Sequence, residues 1–324
     1  MRIALYPNFQ KKNALSCAKR VCDILINADI KVSVDNKYHD SFSEFPEIEF
    51  MDIKSAAAIS DIVIAIGGDG TMLRCAKHLA GYDTQLLGIN TGRLGFMASL
   101  EDNQLEKLLL LKTGEYEISE RILLNCSTED NGVKREFTAL NDICVSQQFS
   151  KICDFEVYSE GYLIGRYRAD GVLFSTPTGS TAYALSAGGP VIEPDLECIE
   201  MTLICPHSLF ARPMLFSAER RLQVVNTCPE DRECSVYVNI DGEHPLELKR
   251  GQKLDIYKNS YKILKRDARN CPSPNSGFTM ASAAGALNIQ LIKLDTYILG
   301  DNNKNIETSD IGRAVKLSKL AIFL

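Results

Sequence analysis

A continuous apolar run that stops abruptly at three closely spaced glycines restricts the fold more than any other feature of this sequence. Residues 61–66 (DIVIAI) are rich in β-branched side chains and predict a buried strand. Residues 67–71 (GGDGT) follow at once, and helical spacing runs from there to about residue 80. A strand that passes through glycines into a helix is typical of a parallel βαβ unit.

The rest of the first third of the chain shows the same alternation of strand and helix. Short apolar runs predict strands, and apolar side chains three and four positions apart predict helices. The predicted strands are 2–6, 30–34, 61–66 and 86–89, and the predicted helices are 11–27, 71–80 and 102–112. Residues 1–115 are therefore predicted to form an α/β nucleotide-site domain with a parallel sheet.

The pattern changes after about residue 115, where helical spacing becomes scarce. Residues 129–132 (EDNG) are a hairpin turn signal between two β-rich runs. The predicted strands are 116–126, 135–147, 153–158, 162–166, 171–175, 200–205, 221–226, 235–240 and 253–257. We predict a mostly antiparallel β domain over 116–265. The tail, 266–324, carries no chemical motif, and a docking role and packing back onto the N-terminal domain are both open.

Composition excludes several classes of protein. The 324 residues carry a net charge of -6, which argues against a general affinity for nucleic acid. The eleven cysteines stand singly among apolar residues and the four histidines are not paired, so we expect buried thiols and no protein-held metal. With no secretory signal pattern and no apolar run of membrane-spanning length, we expect a cytoplasmic protein without a membrane partner.

The GGDGT segment, residues 67–71, has the chemistry of a phosphate site. Glycines let the backbone approach a ligand closely, and their N–H groups together with a helix N-terminus can cradle a phosphate. Asp69 lies at the carboxyl end of a parallel strand, where it can accept a proton from an attacking hydroxyl. Its other reading is a helix cap or turn residue. The segment is neither a Walker A loop nor a Rossmann fingerprint.

A second glycine loop follows the neighbouring predicted strand. Residues 90–96 (NTGRLGF) come directly after the strand at 86–89. Phe96 can stack on or wall off an adenine, although a turn whose Phe belongs to the core is the simpler interpretation of this segment alone.

A loop dense in hydroxyl groups follows the predicted strand 171–175. Thr178, Ser180 and Thr181 can donate hydrogen bonds to phosphate or ribose oxygens, and Tyr183 offers a ring and a hydroxyl to the same ligand. A catalytic serine is the weaker interpretation, because the sequence has no nucleophile elbow around it.

Three shorter pieces are further candidates. Asn141 and Asp142 are polar residues within an otherwise apolar run, where polar groups need a partner or a ligand. His207 is more simply a structural residue than a catalyst. Asp241, which precedes Gly242 after the run 235–240, has the sequence of an ordinary turn.

Taken together, and in this order along the chain, these segments resemble the bacterial NAD kinase family over roughly residues 1–265. The GGDGT segment is shared with lipid kinases and is related to a phosphofructokinase motif, so it is moderately specific. Residues 176–183 (TPTGSTAY) are much more specific. Two positions depart from the family pattern, because Asp142 replaces Glu and Glu243 replaces Gln in a D-G-Q triplet.

The resemblance implies that Asp69 is the catalytic aspartate. The residues assigned to NAD are Gly70, Phe96, Asn141, Asp142, Asp170, Thr178, Thr181, Ala182 and Tyr183. Those assigned to the phosphates of ATP are Gly67, Gly68, Gly70, Thr71 and Arg74, and the further candidates are Arg168, His207 and Asp241. The resemblance also implies a C-terminal β-sandwich-like domain and a homodimer or homotetramer.

The reaction that the resemblance implies is phosphoryl transfer from ATP to the 2′-hydroxyl of the adenosine ribose of NAD, which gives NADP. Asp69 would act as general base or orienting carboxylate, and Mg²⁺ would arrive on ATP. Two alternatives remain: a lipid kinase of the diacylglycerol type, and a sensor that binds NAD or NADP without turnover. The lipid kinase is disfavoured because the acidic chain has no polybasic patch for a membrane surface. The sensor is disfavoured because Asp69 is retained.

Overall fold

A computed structural model gives the fold of this chain. It describes residues 1–92, 97–130, 132–147, 152–208, 211–230, 235–259, 291–293 and 297–299. Two positions in this range, 244 and 245, are described by their backbone alone, as are the two last segments.

The N-terminal part is a parallel sheet whose strands alternate with helices, as predicted. Its strands, in chain order, are β1 (Arg2–Pro7), β2 (Lys31–Val34), β3 (Glu49–Phe50), β4 (Ile62–Gly67), β5 (Gln85–Asn90) and β6 (Leu100–Glu101). Their spatial order is β3-β2-β1-β4-β5-β6. Every residue of β4 is buried, which explains why that strand is apolar throughout.

Three helices cover this sheet: α1 (Ala14–Asn27), α2 (Ile53–Ile59) and α3 (Asp69–Leu79). The α1 helix buries a stripe of small and aliphatic side chains at helical spacing, among them Cys17, Val21 and Leu25. The region predicted as a helix at 102–112 is a 3₁₀ turn, Leu105–Leu109, continued by the short helix α4 (Leu110–Thr113). A second 3₁₀ turn, Asn36–Phe42, follows β2.

Two six-stranded sheets form the following part, as the mostly antiparallel pattern predicted. The strands are β7 (Leu124–Asp130), β8 (Val133–Ala139), β9 (Asp142–Gln147), β10 (Cys153–Ser159), β11 (Tyr162–Ala169), β12 (Gly171–Ser175), β13 (Cys198–Ile204), β14 (Met214–Ser217), β15 (Leu222–Asn226), β16 (Val236–Ile240), β17 (Glu243–Glu247) and β18 (Lys253–Lys258). One sheet has the order β11-β10-β15-β18-β7-β8, and the other β14-β13-β12-β9-β16-β17. Side chains of both sheets share one apolar core.

Several sequence-based boundaries differ from the structure. The predicted strand 116–126 begins only at Leu124, and the predicted strand 135–147 is two strands separated by Leu140 and Asn141. The predicted hairpin at 129–132 is confirmed by the pairing of β7 with β8. Strands β14 and β17 were missed, because each is short and its apolar positions do not form a clear alternation.

The predicted tail lies almost wholly outside the described residues. Within it the structure describes one antiparallel pair, β19 (Leu291–Lys293) with β20 (Tyr297–Leu299). The predicted domain limits at 115 and 265 stay predictions. Across the described part of the chain, every helix is too short or too polar to cross a bilayer.

Candidate active site

Asp69 lies where a buried strand turns into a helix. Gly68 is the N-cap of α3, and Asp69 is the first residue of that helix. The backbone N–H of Met97 donates to Asp69 Oδ1 at 3.4 Å. The positive end of the α3 dipole favours a carboxylate here, as it would favour an incoming phosphate.

Close packing fixes the loop that presents Asp69. A Cβ atom on Gly67 would lie 2.4 Å from Thr71 Oγ1, so only glycine fits at this position. The hydroxyl of Thr71 is buried and accepts a hydrogen bond from Asn8 Nδ2 at 3.1 Å. Gly67 also pairs in register with Asn90 of β5. The two predicted glycine loops therefore leave neighbouring strands at the same edge of the sheet.

A small cleft opens beside this loop, at the carboxyl ends of β1 and β2. Its walls include Tyr6, Asn8, Lys37 and Arg74. Arg74, which was assigned to the phosphates of ATP, is exposed on α3 and has no ion-pair partner among the described residues. Asp35 also lines the cleft and pairs with Lys37 at 3.3 Å, so Arg74 is the cation of the cleft that remains available to an anion.

Asn141 and Asp142 are held by a buried carboxylate. Asp241 accepts hydrogen bonds from the backbone N–H groups of Leu140 (3.1 Å), Asn141 (2.8 Å) and Asp142 (3.1 Å), and its side chain is fully buried. Asp241 has φ +52° and Gly242 φ +72°, which form the tight turn between β16 and β17. Asp241, which has the sequence of an ordinary turn residue, therefore holds the backbone of the candidate site in place.

The side chain of Asn141 has an unused acceptor. Its Oδ1 atom is buried and has no hydrogen-bond partner in the described part of the chain. A buried polar atom without a partner is destabilising, and a ligand that donates to it relieves that penalty.

The carboxyl group of Asp142 has an unusual environment. Burial, and next the charge of Asp241, raise the pKa of Asp142 to about 7, while the charge of Lys77 lowers it. Lys77 lies on α3, and its Nζ is 3.5 Å from Asp241 Oδ2 and 3.3 Å from Glu243 Oε2. A shifted acidic group of this kind is frequent in functional sites.

The hydroxyl-rich loop packs directly on the Asn141 backbone. It forms a 3₁₀ turn, Thr178–Thr181, followed by the short helix α5 (Tyr183–Ser186). The Thr176 hydroxyl donates to the Leu140 carbonyl at 2.5 Å and accepts from Gly179 N–H at 3.0 Å. The loop and the segment before β9 are therefore one unit.

Gly179 is the tightest point of that unit, and a larger residue there is expected to destabilise the protein. A Cβ atom at Gly179 would lie 2.0 Å from the carbonyl oxygen of Asn141, which is backbone and cannot rotate away. We expect Gly179→Ala to lower the free energy of unfolding by about 1–3 kcal/mol or more, measured by chemical denaturation. Gly70→Ala is the matched control, since a Cβ there meets nothing within 4 Å. Equal stability of the two variants would contradict the packing described.

The hydroxyls of the loop have different roles. Ser180 is fully buried, donates to the Pro177 carbonyl at 2.7 Å and accepts from Ile192 N–H at 3.0 Å, so its expected role as a ligand donor is replaced by a structural one. Thr178 Oγ1 accepts from Arg121 at 3.4 Å. Thr181 Oγ1 donates to the Thr178 carbonyl at 3.4 Å.

Tyr183 is the first residue of α5, close enough to Asp142 and Asp170 for their charges to act on its hydroxyl group. Its ring is about half exposed. Burial first, and then the charges of Cys144, Cys205, Asp142 and Asp170, raise the pKa of the Tyr183 hydroxyl. The hydroxyl therefore stays protonated at neutral pH and can donate to a ligand. Ala182 is the residue between the 3₁₀ turn and α5.

Two further candidates, Arg168 and His207, have contacts at the surface. Arg168 pairs through Nε with Asp154 at 3.0 Å on the surface. The His207 backbone N–H donates to the Arg168 carbonyl at 2.8 Å, while its side chain is exposed. Phe96 lies outside the described residues.

Sequence reasoning missed three residues that shape the site: Asn8, Lys77 and Arg121. Each of them contacts a partner that is distant in the sequence, and Lys77 and Asp241 are separated by more than half of the chain. Local spacing patterns cannot predict such a contact. Asn8 alone had a signal, since it follows a predicted strand at the same edge as Asp69.

Comparison with known proteins agrees with the geometry. The family profile described as ATP-NAD kinase N-terminal domain matches residues 3–115, and the ATP-NAD kinase C-terminal domain profile matches residues 140–265. The NAD kinase of Natranaerobius thermophilus is 34% identical over 263 residues, which are 80% of this chain and 90% of that protein. The chain belongs to the NAD kinase family.

Other NAD kinases show similar agreement. That of Citrifermentans bemidjiense is 32% identical, over 79% of this chain and 90% of its own. A crystal structure of an NAD kinase from Archaeoglobus fulgidus in complex with ATP is 27% identical with a TM-score of 0.63, covering 80% of this chain and 90% of that one. Yeast NADH kinase complexed with NADH shares the fold, with a TM-score of 0.74 at 22% identity over 81% of each chain.

One further profile, described as CobD/Cbib protein, matches residues 232–318. It overlaps the end of the C-terminal NAD kinase match, and most of its span lies outside the described residues.

Proposed function

We propose that this chain transfers the γ-phosphoryl group of ATP to the 2′-hydroxyl of the adenosine ribose of NAD, forming NADP. The observation that carries the proposal is that two half-sites, one suited to a phosphate and one suited to a polar ligand, lie within the same compact part of the chain. Asp69 lies at the N-terminus of α3, and a buried, unpaired Asn141 Oδ1 lies beside the hydroxyl-rich loop. The α3 helix connects them through Lys77 and Asp241.

The acceptor half-site would hold the adenosine end of NAD. Asn141 Oδ1 accepts from a ligand donor such as the adenine amino group, and the ionised Asp142 accepts from an amide or hydroxyl. Thr178, Thr181 and Ala182 line the other wall, Tyr183 contributes its hydroxyl, and Asp170 lies nearby. Phe96 is proposed as the wall of the adenine.

The donor half-site would hold ATP as its magnesium complex. The backbone of Gly67, Gly68, Gly70 and Thr71, with the α3 dipole, faces the phosphates, and Arg74 adds a positive charge from the same helix. Among the described residues no group of three ligating side chains could hold a metal ion by itself. The proposed Mg²⁺ enters bound to the phosphates of ATP, as phosphoryl transfer from this donor usually requires.

The chemical step needs little from the protein beyond position and charge. The 2′-oxygen forms a bond to the γ-phosphorus while the bond from that phosphorus to the β–γ bridging oxygen breaks, and ADP leaves. Asp69 orients the 2′-hydroxyl and takes its proton. The N–H groups of the loop neutralise charge that develops on the transferring phosphoryl.

An acceptor panel tests this function. Purified protein is incubated with Mg²⁺ and γ-labelled ATP together with NAD, NADH, diacylglycerol in detergent micelles, or no acceptor. Label is expected in a phosphorylated dinucleotide and not in lipid. Label in diacylglycerol would replace the proposal with a lipid kinase, and tight NAD binding without transfer would replace it with a sensor.

A homodimer or homotetramer is proposed on the family resemblance alone. Sedimentation equilibrium of the purified chain measures it, and a monomer at working concentration would reject it.

A further inference from the structure

Two buried carboxyl groups, Asp142 at the start of β9 and Asp241 in the β16–β17 turn, lie side by side near Lys77. Asp142 is 6% exposed and the side chain of Asp241 is fully buried. They are neighbours across the sheet, since Asp142 N–H donates to Asp241 Oδ1 at 3.1 Å and Asp241 N–H donates to the Asp142 carbonyl at 2.9 Å. Two such groups cannot both be ionised at low energy without a counter-charge.

Lys77 supplies that counter-charge from a different part of the fold. Its Nζ is 3.5 Å from Asp241 Oδ2, and its side chain is only 25% exposed. Three backbone N–H groups hold the Asp241 carboxyl group in place beside Asp142. Lys77, whose Nζ also lies 3.3 Å from Glu243 Oε2, is the cation that opposes the negative charge of this pair.

We propose that Lys77 is a positioning residue for the dinucleotide: it acts through Asp241 and Asp142, and keeps Asp142 available as a hydrogen-bond acceptor at neutral pH. The acceptor's identity as NAD rests on the proposed function, but the effect of Lys77 on Asp142 does not require phosphoryl transfer. Lys77 lies on α3, the helix that begins with Asp69, so the same helix that presents the catalytic candidate also influences the proposed dinucleotide half-site.

The pH dependence of binding follows from the groups that face Asp142. These groups are Asp241 on the β16–β17 turn, Lys77 on α3, Cys144 on the same strand and Tyr183 on α5. The pKa of Asp142 is about 7, raised by burial and Asp241 and lowered by Lys77. Below that pH the carboxyl group is protonated and loses acceptor capacity, so NAD binding weakens as the pH falls.

Calorimetric titration of NAD without ATP, from pH 6 to pH 9, tests the inference. Lys77→Met is expected to move the midpoint of the Kd profile upward by about one pH unit, the low end of the effect of a nearby opposite charge. That shift leaves about a tenth of Asp142 ionised at pH 7 instead of about half, so Kd rises about five-fold there and is nearly unchanged at pH 9.

Three variants separate this role from packing. Lys77→Arg keeps the charge and is expected to restore the wild-type profile. Lys19→Met removes a lysine of α1 that pairs with Glu44 at the surface, and it is expected to leave the profile unchanged. Asp142→Asn is expected to give weak binding that does not vary with pH, and adding Lys77→Met to it is expected to change nothing.

The outcomes distinguish this inference from the proposed function. A Lys77→Met defect of equal size at pH 7 and pH 9, or a wild-type Kd that does not vary with pH, would overturn the role of Lys77 while leaving kinase activity intact. If Lys77→Met gives the expected pH shift but the wild-type protein forms no NADP, the role of Lys77 is upheld and the kinase function is rejected. If Lys77→Met does not fold, a wild-type Kd that does not vary with pH, or one that varies equally in Asp142→Asn, still overturns the inference. No NAD binding at any pH would overturn both.

Discussion

Replacing Asp69 with Asn is expected to lower kcat for NADP formation by about 10²–10⁴-fold, the usual effect of losing a positioned general base. The amide keeps the size of the carboxylate and can still accept the Met97 N–H, but it cannot take the 2′-hydroxyl proton. Initial rates of NADP formation at saturating ATP and NAD measure the loss. The Kd of NAD should change little, because Asp69 is proposed to act on the reacting atoms.

The matched control for this variant is Asp52→Asn. Asp52 also lies at a helix N-terminus, where Oδ1 accepts from the N–H groups of Lys54 and Ser55, but it caps α2 and faces solvent. Wild-type kcat is expected for it. Full turnover in Asp69→Asn would show that Asp69 is only a helix-end residue, the alternative that the sequence left open.

Replacing Asp241 with Ala is expected to have the largest effect on stability, about 3–5 kcal/mol of unfolding free energy. The substitution leaves three backbone N–H groups at Leu140, Asn141 and Asp142 without their acceptor and removes the fully buried partner of Lys77. Hydrogen bonds to a charged group are stronger than average, and unsatisfied buried donors are destabilising. Guanidinium denaturation with a two-state fit measures the change.

Asp52→Ala is the comparison for this loss, since it removes an exposed carboxylate that accepts from two backbone N–H groups. We expect a clearly smaller destabilisation there, because water replaces the lost acceptor. NAD binding should weaken in Asp241→Ala and not in Asp52→Ala. Equal losses of stability in the two variants would show that burial of Asp241 contributes nothing.

The sequence predicted the elements whose patterns are local. The strand β4, the glycines after it and α3 were visible because burial on both faces requires a continuous apolar run and because close packing against Thr71 leaves no room for a Cβ at Gly67. The same logic identified the loop at Thr178–Thr181 and the hairpin of β7 with β8.

Contacts between distant segments could not be predicted in this way. Asp241 has the sequence of an ordinary turn residue, and only the sheet brings it against the three N–H groups before β9. Lys77 has the sequence of a solvent-facing helix residue, and Ser180 resembled a ligand donor until its two loop partners were known. Propensity and periodicity describe neighbours along the chain, whereas these roles depend on neighbours in space.

The replacement of Glu by Asp at position 142 also gains meaning from the structure. Asp142 is buried at the first position of β9, where burial and the charge of Asp241 raise its pKa. The departure from the family pattern therefore lies at the group whose protonation is expected to govern dinucleotide affinity.

The position of the new phosphoryl group tests the proposed function most directly. Wild-type protein is incubated with NAD, ATP and Mg²⁺, and the dinucleotide product is purified and examined by mass spectrometry and phosphorus NMR. We expect one added phosphoryl group, attached to the 2′-oxygen of the adenosine ribose. A product phosphorylated at another hydroxyl, or no phosphorylated dinucleotide at all, would contradict the proposed reaction.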